Sequence, residues 1–116
     1  MNGVDELTQK LRAFAAERDW EQFHSPKNLA MALAVEAAEL LEHFQWLTEE
    51  QSRALDPARR ENVREEIADV FLYVLRLCDQ LGIELLAAAE HKIQVNARRY
   101  PAEKVRGRAD KYDEYG

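Results

Sequence analysis

The chain reads as an all-α protein, a bundle of four main helices, on three observations. Apolar residues recur at three- and four-residue spacing over long stretches and nowhere alternate as a strand would require. Two cap-plus-proline pairs, Ser25-Pro26 and Asp56-Pro57, open the two longest of these stretches. Each stretch then runs free of glycine and proline, in a sequence that has only 4 Gly and 3 Pro.

Taken in order, Leu7, Leu11, Phe14 and Ala15 fall on one helical stripe, which predicts a short amphipathic helix from Asp5 to about Asp19. Trp20-Glu-Gln-Phe23-His24 lies between patterns. Ser25 is the N-cap of the second helix, with Pro26 at its first position, and the Ala- and Leu-rich run carries that helix to about Trp46. Thr48-Glu-Glu-Gln51 has capping-box spacing and opens a single helical turn. A long helix follows from Pro57 to Leu81, with Gly82 as its stop. The last runs from about Glu84 to Arg99 and must end before Pro101. Beyond Pro101 no periodicity is legible, and residues 102–116 read as a basic tail.

The helix from Pro57 is difficult for a monomer. Val63, Ile67, Val70, Phe71, Leu72, Val74, Leu75 and Leu77 wrap much of its circumference, and a helix apolar on most sides must be covered on most sides. So small a chain can hardly do that alone, which predicts a homo-oligomer.

At 116 residues with 47% apolar content, the chain is expected to form one folded domain. No run approaches a membrane span and the first residues lack a signal-peptide layout, so a cytoplasmic protein without a membrane partner is expected. Cys78, between Leu77 and Leu81, reads as a buried structural thiol. The net charge of −6 argues against a DNA or RNA partner. Residues 1–91 hold 9 Lys/Arg against 18 Asp/Glu, whereas residues 92–116 hold 7 against 4. One end therefore suits cations and the other anions.

Within that acidic part, Glu36-Ala-Ala-Glu39 and Glu66-Ile-Ala-Asp69 stand out. Each pair has i, i+3 spacing, which on a helix sets the two side chains roughly 5–6 Å apart at Cβ. Their neighbours matter more. Leu29, Leu33, Glu36 and Leu40 share one stripe, and Val63, Glu66, Val70 and Leu77 share another, so acids occupy core positions. Carboxylates drawn out of water and toward one another need a cation. Hard oxygen ligands without a thiolate or imidazole at ligand spacing suit Mg2+ best, ahead of Mn2+ or Ca2+.

A solvated acidic face is the plainer reading of any single pair, since 22 of the 116 residues are Asp or Glu. Glu39-Leu-Leu-Glu42 is another match, and spacing alone leaves Glu42 open. A di-iron site would want Glu-x-x-His from two helices, and Glu21-Gln-Phe-His24 at a helix break is the only such run. No nucleophile sits beside a histidine, and no Gly-rich phosphate loop is present.

A Mg2+ site commonly joins protein carboxylates to substrate phosphates, so hydrolysis of a phosphoanhydride is the chemistry implied. Lys92, Asn96 and Arg99 share a face of the last helix and suit an oxygen-rich ligand. Trp20, Phe23, His24, Trp46 and Tyr73 supply aromatic faces for a base, with Tyr73 one turn past Asp69. Metal and aromatics together describe a nucleotide site.

The segments Phe14-Ala-Ala-Glu-Arg-Asp-Trp-Glu-Gln-Phe-His24, Pro26-Lys-Asn-Leu29, Glu36-Ala-Ala-Glu39, Phe44-Gln-Trp46, Glu65-Glu-Ile-Ala-Asp-Val70, Tyr73, Asn96-Ala-Arg-Arg-Tyr-Pro101 and Lys111-Tyr112 cover nearly the whole chain. In these the sequence resembles the all-α MazG-like nucleoside triphosphate pyrophosphohydrolases, and within them the dCTP pyrophosphatases. The resemblance implies a helical catalytic domain over residues 1–101 and Mg2+-dependent cleavage of a (deoxy)nucleoside triphosphate to a monophosphate and pyrophosphate, a nucleotide-pool cleansing role. Glu36, Glu39, Glu66 and Asp69 would hold the metal, with Glu36 and Glu39 the leading candidates to activate water. Trp20, His24, Trp46 and Tyr73 would line the substrate site. Lys92, Asn96, Arg108, Lys111 and Tyr112 would be candidates for contacts to sugar or phosphates, from the same or a neighbouring subunit of a tetramer built as a dimer of dimers, favoured over a dimer. The dCTP-selective relatives carry a pocket-facing histidine where this chain has Leu11, so the preferred base stays open. The alternative is a non-catalytic helical module that binds metal or nucleotide without hydrolysis.

Overall fold

The computed structural model describes residues 2–107, and every regular element among them is helical. The first helix, α1 (Gly3–Glu17), is capped by Asn2, whose side chain accepts the Asp5 N–H at 2.9 Å, while Asp5 and Glu6 in the first turn complement the helix dipole. It closes in a Schellman turn: Asp19 N–H donates to the Ala16 carbonyl at 3.1 Å and Trp20 N–H to the Ala15 carbonyl at 2.9 Å. Asp19 takes the left-handed backbone this turn requires, at φ 55°. The stretch that lacked a pattern is a 3-10 turn, Glu21–Phe23, leading into the Ser25 cap of α2 (Pro26–Glu42).

The second helix stops about four residues earlier than its composition predicts. His43, Phe44 and Leu47 donate backwards by three residues rather than four, to Leu40, Leu41 and Phe44. The His43 carbonyl, which a continuing helix would give to Leu47, instead accepts from the Arg59 guanidinium. The capping box forms as spaced, with the Gln51 N–H donating to Thr48 Oγ1 at 3.1 Å and the Thr48 N–H to Gln51 Oε1 at 2.9 Å, at the start of α3 (Glu49–Arg53). Asp56 caps α4 (Pro57–Leu81), which ends at Gly82 with φ 68°. Glu84 precedes α5 (Leu85–Arg99). After Pro101 a short helix, α6 (Ala102–Val105), opens the stretch expected to be irregular, whose residues 108–116 lie outside the described ones. Four residues are too few for a periodicity to be read, and the Pro101 carbonyl accepts from Lys104 and Val105 to form it.

The chain divides into two compact units at Ile83 and Glu84. In the first, α1 and α2 each pack against α4. Its apolar core is Ala15, Leu29, Val63 and Leu75, joined by one buried charge, Arg76. Around it many large apolar side chains stay half-exposed, including Met31, Val35, Ile67 and Phe71. In the second unit Ile93 is 68% exposed and no residue of α5 is buried. Cys78 is half-buried, and burial pushes its thiol above the ordinary value, so it stays an unreactive thiol at neutral pH. No helix among the described residues is long and apolar enough to cross a membrane.

Candidate metal centre and adjoining pocket

The two mixed stripes face the core as their spacing requires. On α2, Leu29 is buried and Leu33, Glu36 and Leu40 are half-buried; on α4, Val63 is buried and Glu66, Val70 and Leu77 are half-buried. Because α2 packs on α4, the acids meet: carboxylate oxygens of Glu36, Glu39 and Glu66 all lie within 4.8 Å of one another. Oε2 of Glu36 and Oε2 of Glu66 are buried with no hydrogen-bond partner. Buried acceptors are rarely left in that state.

The electrostatics report the same strain. The Glu36 carboxyl is pushed up to about 7, first because its protonated form can bond to Glu66, then by burial and by Glu39. Burial raises Glu66 as well, as do the nearby charges of Glu39 and Asp69, while its bond with Glu36 works the other way. Two orphaned carboxylate oxygens and a third acid beside them, with no sulfur or imidazole in the group, are a donor set that fits a hard divalent cation such as Mg2+ or Mn2+.

Asp69 does not join this group. It lies one turn beyond Glu66, exposed, with its charge felt at both Glu66 and Tyr73. Glu42, which spacing alone left open, is exposed and outside the group.

Asp69 instead borders a cavity of about 270 Å3 between α1 and α4, near the lower end of the ~300–1,000 Å3 usual for small-molecule pockets. Its walls are apolar on the α1 side, where Leu11, Phe14 and Ala15 line it, and it is closed by Trp20, His24, Tyr73 and Arg76. Leu11 thus occupies the pocket-facing position. Trp20 stands edge-on to both Phe14 and His24, with ring centroids 5.7 and 6.5 Å away, an arrangement favoured for aromatic pairs. Burial and the charges of Glu36, Asp69 and Glu39 raise Tyr73, so its hydroxyl keeps its proton.

The other candidates stand elsewhere. Trp46, beyond the end of α2, is 87% exposed and does not line the cavity. Lys92 and Asn96 are exposed on α5, in the second unit. Arg108, Lys111 and Tyr112 lie outside the described residues.

Sequence reasoning passed over Arg76. It is the buried charge of the core, bonded to His24 and Asp79, and it lines the cavity. The signal was available: a lone arginine between Leu75 and Leu77, three residues past Tyr73 and seven past Asp69, shares their face.

Residues 31–115 match the MazG-like family. The chain is 44% identical over 113 residues to dCTP pyrophosphatase 1 of Homo sapiens, covering 96% of this chain and 66% of that protein. It is 45% identical over 111 residues to dCTP pyrophosphatase 1 of Mus musculus, covering 94% and 65%. This chain therefore spans just under two thirds of the length of these relatives. A crystal structure of a pyrophosphatase from Archaeoglobus fulgidus superposes with a TM-score of 0.82 at 41% identity, covering 87% of this chain and 94% of that one.

Proposed function

The chain belongs to the MazG-like family, and on that footing we propose that it is a Mg2+-dependent nucleoside triphosphate pyrophosphohydrolase. It converts a (deoxy)nucleoside triphosphate and water to the monophosphate and pyrophosphate, with dCTP or a 5-substituted dCTP as the preferred substrate, and so cleanses the nucleotide pool. The observation that carries this reading is the group of Glu36, Glu39 and Glu66 with two buried, unpartnered oxygens. The relatives named dCTP pyrophosphatase and pyrophosphatase support it independently.

Glu36, Glu39 and Glu66 would hold the ion, with Asp69 joining from the next turn of α4. Bound there, a divalent ion supplies charge stabilisation for the phosphoryl oxygens and for the leaving pyrophosphate. Glu36 and Glu39 are the carboxylates assigned to take the proton from the water that attacks the α-phosphorus. Trp20, His24 and Tyr73 receive the nucleoside in the largely apolar cavity that Asp69 borders. Trp46, outside the cavity of its own chain, would stack on the base, and Lys92, Asn96, Arg108, Lys111 and Tyr112 would meet sugar or phosphates once neighbouring subunits of the assembly bring some of these groups to the site. The half-exposed apolar residues of α2 and α4 support assembly into a homo-oligomer, a dimer of dimers, in which the four main helices close into a bundle.

A panel of triphosphates assayed for released pyrophosphate, with Mg2+ and with chelator, tests this. Release that depends on Mg2+ is expected. Thermal stabilisation by Mg2+ with no pyrophosphate from any triphosphate would instead identify a binding module.

A further inference from the structure

A second polar cluster, which the acidic centre does not use, runs from α1 to the 3-10 turn through α4. Arg76, only 6% exposed, donates its Nε–H to Nδ1 of His24 at 3.1 Å and a terminal N–H to Oδ2 of Asp79 at 3.2 Å. The same Oδ2 accepts the Nε–H of Arg12 at 2.8 Å, and Oδ1 accepts a second Arg12 N–H. Asp79 thus holds Arg76 from the side opposite His24.

The chemistry of these groups dictates a proton position. A guanidinium carries donors only, so the imidazole nitrogen that faces it must present a lone pair. The single hydrogen of the neutral ring then sits on Nε2. The doubly protonated ring would set one N–H against another beside a fixed positive charge. Burial, then the charge of Arg76, holds His24 below its ordinary value, against a weaker opposing pull from Glu21. Meanwhile the imidazole lines a cavity whose α1 wall, Leu11 and Phe14 included, offers no hydrogen bond from its side chains.

We propose that Arg76 is a positioning residue that fixes His24 as a neutral Nε2–H donor, and that this donor reads an acceptor atom on the edge of the substrate's base. The second half rests on the nucleotide site proposed above. With Leu11 unable to hydrogen-bond, His24 carries the polar discrimination on this side of the pocket. A base without an acceptor there leaves the Nε2–H desolvated and unpaired, the situation in which sites discriminate most strongly.

The first measurement needs no substrate. Long-range 1H–15N spectra of the nucleotide-free protein at pH 7, with His24 assigned through His24→Gln, should show Nε2 protonated and Nδ1 bare. Arg76→Met should mix the two tautomers, and Arg76→Lys, which keeps a donor and a charge, should restore the preference in part. An Nδ1–H or doubly protonated His24 in the parent protein overturns the proposal, even if Arg76→Met fails to fold. The second measurement compares dCTP with an isosteric difluorophenyl nucleotide that has no carbonyl or ring-nitrogen acceptor. The parent should favour dCTP by roughly tenfold or more in kcat/KM, and Arg76→Met should raise KM for dCTP about tenfold while moving kcat less. Equal use of the two nucleotides removes the base-reading role. Failure to cleave any triphosphate removes the enzyme and base reading together, and leaves the spectra to decide the role of Arg76.

Discussion

Two polar clusters share α4, and they are built on opposite principles. Around Arg76 every charge is answered: Asp79 takes both arginines, and Arg76 takes His24. Around Glu66 like charges meet without a cation, for three acids converge and two of their oxygens are buried without a partner. The first cluster answers its own charges and holds its part of the fold, leaving the His24 imidazole at the cavity wall. The second is costly in the protein alone and becomes favourable only with something added, which is how a binding centre differs from a structural network. The comparison teaches where to look for function: among buried polar groups, at the ones that remain unsatisfied.

Substitution in the two clusters should separate them. Glu39→Gln is expected to lower pyrophosphate release by roughly 10²–10⁴-fold, the usual worth of a proton acceptor, and to leave helical circular dichroism unchanged. Full turnover by that variant would refute the assignment of roles. Asp79→Ala should act chiefly on stability, with a rise in KM no larger than that of Arg76→Met. It removes the carboxylate bonded to buried Arg76, at about 2 kcal/mol in urea unfolding, below the ~3–5 kcal/mol of a fully buried pair because Arg12 is open to solvent. If it unfolds no more readily than the parent, the network is decorative.

Acidity should distinguish the clusters by sign. Glu36 and Glu66 are raised above the unfolded carboxylate value, so their contribution is most favourable below about pH 4.5 and is lost as pH rises through the folded value, about 7 for Glu36. Asp79 is lowered, first by its bond from Arg12, so its contribution is present above about pH 4 and is lost as pH falls further. Chelated protein should therefore melt at lower temperature at pH 8 than at pH 6. Mg2+ should raise the melting temperature more at pH 8, and Glu36→Gln should flatten both trends. A metal-free melting temperature that climbs from pH 6 to pH 8 would contradict the raised carboxyls. The smallest effect belongs to Arg12→Gln, at the exposed end of the network, where a loss of a few degrees or less is expected.

The sequence made much of this readable, and unevenly. The cap-plus-proline pairs, the capping box and Gly82 mark helix ends by local chemistry, and the structure places them within a residue or two. The end of α2 was misjudged because it depends on Arg59, sixteen residues away, reaching the His43 carbonyl. Acids at core positions announced the meeting of Glu36, Glu39 and Glu66. Whether Asp69 completes that group depends on side-chain direction, which i, i+3 spacing does not specify. Arg76 escapes a reading of the sequence for a similar reason: His24 reaches it from the end of the 3-10 turn and Arg12 of α1 reaches its neighbour Asp79, and only the folded chain brings these groups together.

The α1 and α4 helices close in the same left-handed turn, one filled by Gly82 and the other by Asp19. Glycine adopts that backbone freely, whereas a residue with a Cβ gives up roughly 1 kcal/mol there, relieved in part by the Gln22 amide that reaches Asp19 Oδ2. Asp19→Gly is therefore a route to a hardier protein that never touches the group of Glu36, Glu39 and Glu66. Since Trp20 is the very next residue, the same exchange would show how firmly a cavity wall depends on the loop that delivers it.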